Sequence, residues 1–525
     1  MSTIERATLV ATLTAAPADR GPTVLETLQA EGVEVLEVRA DLVGDLDPGP
    51  LRARFAGRLL YTLRSRTEGG GFDGTAERRR RRLLDAAERY DFVDLEGERD
   101  LAPELLAAIP AERRILSWHG PSTDLATLKA RFDRLAAVPA RLYKLVPTAV
   151  QAGDELPALL LLHSLRRRDV IAFASGASGA WTRLLAPRLG APVVYGAAGD
   201  VPGAPGQMSI SRLRSDYGLP DLSPVTTLFG LVGNPVFHSL SPRLHNGAYR
   251  ELGIPALYVP FHVASFGDFW LEVVESGVLD HLGFGLRGLS VTAPYKEAAL
   301  AVAGAESPLA GRIGAANTLV WNQGVWEAES TDPEGVVLPL TERGFDPRGM
   351  RTVVVGTGGG GRSAAVGLAC AGAEVTLANR GSERGERAAA DLQLPYVPLA
   401  DLDPAAYDLL VNATALGRRP GDPLPFSVDA VRPGAVVLDL VYDAENPGPT
   451  RLLAAAEARG LVGIEGREVL VSQALGQFRM MTRWDLPPAV ARRLLGLAEP
   501  APRPPQPSPP LAEDASPEAP EDLRQ

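Results

Sequence analysis

Short apolar runs recur along the first 217 residues, at 8–13, 33–41, 59–64, 92–97, 113–119, 141–147, 169–175 and 192–197. Between most of them the apolar positions switch to helical spacing, as in 125–138 and 156–168. Strands alternating with helices predict parallel βαβ units, and eight such units predict a (β/α)8 barrel whose catalytic groups sit at strand C-terminal ends. Polar residues interrupt the runs near those ends. Glu37 and Arg39 close the second run, Arg64 the third, Glu96 the fourth and His119 the fifth, while Lys144 lies late in the sixth. A single residue of this kind is ordinarily a strand-end ion pair. Six on one rim point to an active site.

The pattern changes after 217. Residues 218–227 carry two prolines and no periodicity, and read as an interdomain linker. A strand follows at 228–232, then Ser239 and Ser241 flank Leu240, so both hydroxyls can face one way in an extended loop. An ordinary helix start, with Pro242 at the first helical position, would explain the same residues. Further on, 353–355 is an apolar strand, 356–361 a glycine turn, 362–372 helical and 374–378 a second strand. That order is the context a dinucleotide fingerprint needs. Gly356, Gly358, Gly359, Gly360 and Gly361 let the backbone approach a pyrophosphate at the helix N-terminus. The same turn also spells a phosphate loop, but with Arg362 where that loop needs lysine. The second strand ends in Asn379 and Arg380, with Arg384 one turn on and no acid to bind a ribose 2′-hydroxyl. Two arginines suit a 2′-phosphate, which favours NADP(H) over NAD(H).

Composition narrows the classes. The chain has 525 residues, 45% apolar and 22% charged, with net charge −11, which is ordinary for a globular protein of several domains. The largest basic block, 78–82, reads as the solvated face of a helix, so no nucleic-acid partner is expected. No apolar run is long enough for a membrane span, and the first residues lead into a strand without a signal segment. A single cysteine, Cys370, excludes internal disulfides and fits a reducing cytoplasm; its Ala/Gly/Leu-rich surroundings predict a packing role. No metal site is expected. Lysine occurs only at 129, 144 and 296, against 50 arginines. An amine can lose its proton when partly buried and attack a carbonyl, which a guanidinium cannot. Lys144 lies inside an apolar strand, where it is either such a nucleophile or a snorkelling side chain. Lys296 follows a strand, and with Asp332 it could relay a proton to a carbonyl oxygen.

The motifs Glu37-Val38-Arg39, Leu63-Arg64-Ser65, Asp94-Leu95-Glu96, Ser117-Trp118-His119, Tyr143-Lys144-Leu145, Trp181-Thr182-Arg183 and Ala204-Pro205-Gly206-Gln207 together resemble type I 3-dehydroquinate dehydratase across 5–217. The resemblance implies a Schiff base on Lys144, with His119 as general base and acid and Glu96 orienting its imidazole. It implies that Arg183 holds the substrate carboxylate and that Glu37, Arg39, Arg64 and Gln207 hold hydroxyls and carboxylate. Gly203 stands where many members carry serine. From about 227 to 497 the chain resembles shikimate dehydrogenase, through the paired serines, Thr292 to Lys296, Asn317, Asp332, the glycine turn, Asn412 to Thr414, Tyr442 and Gln473. That likeness implies a catalytic proton on Lys296 and Asp332. Ser239, Ser241, Thr292, Asn317, Tyr442 and Gln473 would hold shikimate, and the glycines with Asn379, Arg380, Arg384 and Thr414 would hold NADP. Ser290 and Ser330 stand where asparagines are usual, and Glu468-Val469 replaces a small apolar pair near the nicotinamide position.

The expected architecture is α/β throughout: a barrel at 1–217, linker 218–227, substrate lobe 228–335, Rossmann-type NADP domain 336–465, returning helices 466–499 and a proline-rich disordered tail 500–525. The expected function is a bifunctional enzyme that dehydrates 3-dehydroquinate and then reduces 3-dehydroshikimate with NADPH. Two alternatives remain: a quinate-accepting dehydrogenase in the second half, against which the paired serines argue, and a regulatory relative with dead sites, which would lack Lys144, His119, Lys296 or Asp332. Small-molecule substrates are the expected partners. Oligomeric state stays open, a homodimer among the options.

Overall fold

The structure, a computed structural model, describes residues 5–16, 24–417, 421–443 and 448–498. The expected tail at 500–525 lies outside them. Eight parallel strands form the N-terminal sheet: β1 (Thr8–Leu13), β2 (Val35–Arg39), β3 (Arg58–Thr62), β4 (Phe92–Glu96), β5 (Arg114–Pro121), β6 (Leu142–Thr148), β7 (Val170–Ala172) and β8 (Val193–Ala197). Each pairs with its sequence neighbour from β1 to β7, and β1 also pairs with β8. The result is a nearly closed barrel that stays open between β7 and β8. Its strands are buried along most of their length, as sheets covered by helices require.

Two further sheets follow. The substrate lobe has β9 (Thr227–Gly233), β10 (Ala256–His262), β11 (Gly285–Val291), β12 (Ala305–Glu306), β13 (Thr318–Asn322) and β14 (Val325–Glu329), in the order β10-β9-β11-β13-β14-β12. Its mixed directions come from β13, antiparallel to β11 and β14. The third sheet is all parallel: β15 (Arg351–Val355), β16 (Glu374–Asn379), β17 (Tyr396–Pro398), β18 (Leu409–Asn412), β19 (Val436–Asp439) and β20 (Val462–Ile464). Its order, β17-β16-β15-β18-β19-β20, is the doubly wound 3-2-1-4-5-6 arrangement, which places a ligand crevice where the order reverses beside β15. No helix among the described residues is long and apolar enough to cross a membrane.

Four details differ from the sequence expectations. The boundary drawn at 335/336 falls inside a helix, Asp332–Glu342, which packs on the returning helix Gly466–Thr482. The segment at 218–227 is stitched to the barrel's first residues: Ala7 N–H donates to the Pro220 carbonyl at 3.0 Å and Leu222 N–H to Glu5 at 2.8 Å, with Leu219 buried. Cys370 is exposed in the last turn of its helix, where its sulfur accepts from Arg312, so it does not pack the core. The basic block is not uniformly solvated, because Arg79 is 4% exposed and grips both oxygens of Asp100 at 2.7 and 2.6 Å.

The barrel and the substrate lobe share one apolar core. Trp181 of the barrel meets Phe261 at the end of β10 edge-on, with ring centroids 5.2 Å apart. Removing Arg79 would leave Asp100 and Glu96 as buried carboxylates with one cation fewer. Arg79→Ala is therefore expected to cost roughly 3–5 kcal/mol of barrel stability, whereas Arg81→Ala, on the exposed side of the same helix, should cost almost nothing. Thermal unfolding of the two variants side by side checks this, and equal midpoints would refute it.

Candidate active sites

The barrel's inward-facing polar residues line a cavity of about 480 Å³. Glu37, Arg39, Arg64, His119, Lys144, Arg183 and Gln207 all reach it; Glu96 does not. Lys144 is the third residue of β6 rather than a late one, and is 4% exposed. Its Nζ lies 3.8 Å from Glu37 Oε1, 3.7 Å from Asp94 Oδ2 and 4.1 Å above the Tyr195 ring. Burial drives its pKa below the ordinary lysine value, and the two carboxylates only partly offset this. The amine is held in place while its neutral form is made easier to reach.

His119 is paired with Glu68, not with Glu96 as the sequence reading expected. Glu68 Oε2 lies 3.2 Å from His119 Nδ1, and accepts from the His119 backbone N–H at 3.0 Å and from Arg64 at 3.0 Å. Glu96 instead accepts the Ser65 N–H at 2.7 Å and is flanked by Arg64, Arg79 and Arg99. It sets the turn after β3 rather than the imidazole. Burial pushes the Glu68 carboxyl up to about 8. Burial, followed by the charges of Arg64, Lys144, Arg39 and Arg183, pushes His119 well below its ordinary value. Glu68 was missed because it sits in the Gly-rich turn rather than at a strand end; an acid four residues after Arg64 was the available signal. Asp94 was quoted but given no role. It lies two residues before Glu96, on the same face of β4, and accepts from Arg64 at 3.1 Å and Ser117 at 2.6 Å.

The remaining polar groups are held from behind. Glu37 accepts from Thr12 and Thr62 at 2.7 and 2.8 Å, and Gln207 donates to Thr12 at 3.0 Å. Arg39 grips Asp41 through two donors and reaches the Gly203 carbonyl at 2.7 Å. Gly203 has no room for a serine here, since a Cβ would stand 2.7 Å from Thr12 Cγ2. Arg183 differs from the others. It is 5% exposed, lies 4.1 Å from the Phe173 ring, and its buried Nε has no hydrogen-bond partner among the described residues. Burial pulls its pKa down to about 10. An unmatched guanidinium in a buried cavity is a site for an anion.

A second cavity, of about 490 Å³, lies between the substrate lobe and the Rossmann sheet. Ser239, Ser241, Thr292, Lys296, Asn317, Asp332, Tyr442 and Gln473 line one part, and Gly358, Gly359, Gly360, Arg384 and Thr414 the other. Lys296 opens the helix Lys296–Val302 and its Nζ bonds Asp332 Oδ2. Asn317 donates to Asp332 Oδ1 at 2.7 Å and accepts the Thr331 N–H at 2.9 Å, fixing the carboxylate. Ser239 Oγ lies 3.1 Å from Ser241 Oγ and accepts the Ser241 N–H, so the hydroxyls converge at the start of helix Ser241–Leu252. Gln477 was missed, although it lies one turn after Gln473. It accepts from Ser290 at 2.9 Å and donates to the Asn317 carbonyl at 3.2 Å, which accounts for serine at 290. The Ser330 Oγ is buried without a hydrogen-bond partner among the described residues. Glu468 points away from the cavity to Arg343 and Arg492, leaving Val469 to line it.

The glycine turn fits a dinucleotide. Gly356 has φ +109°, which a side chain rarely adopts, and a Cβ on Gly361 would stand 1.9 Å from the Gly356 carbonyl. A Cβ on Gly358 would meet only Arg384, at 3.9 Å, so that face is open to a ligand. The buried Thr357 Oγ1 beside it has no hydrogen-bond partner among the described residues. Arg362 turns away to the Ile313 carbonyl at 3.1 Å and to Asp391, so the turn does not act as a phosphate loop. Asn379 and Arg380 lie beyond the cavity at the end of β16, Asn379 bonding the Gly381 carbonyl at 2.9 Å. The three lysines thus divide: Lys144 and Lys296 sit in the two cavities, and Lys129 is exposed on the helix Leu125–Ala136.

Residues 9–223 match the family described as type I 3-dehydroquinase, and 231–319 match the shikimate dehydrogenase substrate binding domain. A bifunctional 3-dehydroquinate dehydratase/shikimate dehydrogenase, chloroplastic, of Arabidopsis thaliana is 31% identical over 501 residues, covering 88% of this chain and 80% of the relative. The shikimate dehydrogenase (NADP(+)) of Halobacterium salinarum is 40% identical over 270 residues, covering 51% of this chain and 98% of its own length. That of Moorella thermoacetica is 41% identical over 282 residues, covering 51% and 92%.

An imidazole destabilised as a cation stays neutral to lower pH than a free one. The His119 ring is expected to titrate below the ordinary value of about 6.5. An NMR titration giving a midpoint at or above that value would refute the electrostatic account.

Proposed function

This chain belongs to the bifunctional 3-dehydroquinate dehydratase/shikimate dehydrogenases, and from that premise we propose how its side chains divide the work. The protein is an enzyme of the shikimate pathway with two activities. It dehydrates 3-dehydroquinate to 3-dehydroshikimate, and it reduces that ketone to shikimate with NADPH. The observation that carries the assignment of residues is the burial of Lys144 beside an unmatched Arg183 in one cavity.

In the barrel, the neutral Lys144 amine adds to the substrate ketone, and loss of water gives an iminium. His119 removes a proton from the adjacent carbon, and the electron pair flows into the iminium to give an enamine. The enamine returns its pair and expels the β-hydroxyl, which takes the proton from His119 and leaves as water. Hydrolysis of the conjugated iminium releases product and restores the amine. A histidine that stays neutral suits the first of these proton transfers. Glu68 holds Nδ1, leaving Nε2 for the substrate. Arg183 binds the substrate carboxylate, while Glu37, Arg39, Arg64 and Gln207 hold hydroxyls and carboxylate. The role given to Glu96 from sequence passes to Glu68.

In the second cavity Lys296, oriented by Asp332, handles the proton at the carbonyl oxygen. Asn317 holds that carboxylate, and Ser239, Ser241, Thr292, Tyr442 and Gln473 surround the substrate. The glycine turn with Thr414 holds the pyrophosphate, and Asn379, Arg380 and Arg384 hold the 2′-phosphate. NADPH, when bound, supplies the hydride. The arginines are exposed and have no ion-pair partner among the described residues, which supports an anion-binding role.

Lys144→Ala should abolish dehydration and leave the reductase intact, and borohydride with substrate should trap an adduct on Lys144 of the native chain. An adduct that persists in Lys144→Ala would move the nucleophile elsewhere. Arg380→Ala should raise the KM for NADPH about tenfold and leave that for NADH nearly unchanged, as expected for loss of one charge-assisted contact. Equal effects on both cofactors would remove the 2′-phosphate role.

A further inference from the structure

We propose that the last helix of the barrel is a working part of the dehydrogenase's substrate site, with Arg212 and Asp216 as positioning residues for the loop that carries Ser239 and Ser241. The inference rests on the reading that those two hydroxyls hold the substrate.

The helix Ile210–Tyr217 follows β8 and is capped by Ser209, so it belongs to the dehydratase half. Arg212 and Asp216, one turn apart, share a face that looks at the other half. Asp216 is fully buried. Its Oδ2 accepts from Arg212 Nε at 3.1 Å, and its Oδ1 accepts from Arg243 Nε at 2.8 Å. Arg243 lies in the substrate lobe, two residues past Ser241. Arg212 also donates, through Nη1, to the carbonyl of Phe237, two residues before Ser239. One buried carboxylate and one guanidinium of the barrel therefore grip the serine loop at both ends.

The loop needs such support. Between Gly233 and Ser241 the chain has no regular element, and the helix that follows receives no side-chain cap from Leu240. The Phe237 ring stacks on His262, 5.3 Å between centroids and 13° between planes, which fixes the side chain but not the carbonyl. Ion pairs on an exposed surface contribute little, but here the carboxylate is buried while Arg212 and Arg243 are each about a third exposed, so losing Arg212 leaves the buried charge of Asp216 to Arg243 and the Ser215 hydroxyl alone. A displacement of the loop would move two hydroxyls at once and leave the cofactor half of the cavity untouched, because Gly358, Arg384 and Thr414 lie in the turns and helix that follow strands β15, β16 and β18.

The test uses the full chain and reads both activities. Arg212→Met keeps the stem of the side chain and removes both contacts. It should raise the KM for shikimate about tenfold, the size of effect expected for a coupled residue away from the ligand. The KM for NADP+ and the dehydratase kcat/KM should stay within about twofold of the native values, which a general loss of packing would not spare. Arg212→Lys, which keeps the charge beside Asp216, should show the same shift reduced in size. An unchanged shikimate KM in both variants would overturn the proposal, as would a KM for NADP+ that rises in step. Dehydration in the same samples reports that the chain has folded, and Arg212→Lys serves alone if Arg212→Met does not. Ser241→Ala separates the two layers of inference. A raised shikimate KM there with none in the Arg212 variants would sink only the clamp, and no change in Ser241→Ala would sink the reading beneath it.

Discussion

A charge taken out of water must find a partner or give up its proton, and the mouth of the barrel is arranged around that rule. Lys144 has carboxylates on two sides, at distances just beyond a hydrogen bond, so its charge is supported without being tied down. Arg64 is occupied by Asp94, Ser117 and Glu68. Arg183 is left over. The cavity therefore presents an amine that can become neutral, an imidazole that stays neutral and one cation with no ion-pair partner among the described residues. A small carboxylate with a ketone is what such an inventory receives. The second cavity follows the same rule with a different answer: Lys296 is bonded directly to Asp332, and Asn317 fixes the carboxylate from behind. One amine is bonded directly to a carboxylate, whereas the other has its two carboxylates just beyond hydrogen-bond reach.

Much of this was legible in the sequence because it is local. Strand runs, the glycine turn and the scarcity of lysine are properties of short windows, and each falls where the periodicity puts it. The errors are of another kind. Glu96 and Glu68 are both acids near the rim, and only the path of the turn after β3 decides which one meets His119. Arg79 lies in a run of arginines that looks solvated, yet helical geometry turns one of them inward toward Asp100. Glu468 replaces a small residue close to the cavity in sequence, but the helix aims it at Arg343 and Arg492. In each case the direction of a side chain decided the outcome, and direction is set by packing against distant residues.

The same distinction explains the apparent departures. Serine at 290 is matched by Gln477, which lies 187 positions away. Glycine at 203 is required by the close approach of Thr12. The segment expected as a linker is a seam, hydrogen-bonded to the first strand-like residues of the chain, and continuous with an apolar core shared by barrel and substrate lobe. A reading window of a few residues cannot see such pairings, however well it identifies the elements they join.

The placement of Lys129 has a practical side. It stands exposed on an outer helix, while the other two ε-amines lie within clefts, one of them 4% exposed and the other bonded to an aspartate. An acylating reagent therefore meets a single open lysine on the described surface, apart from any α-amino group. A dye, a tether or a solid support could be attached there in one orientation, with both reaction centres still free to turn over.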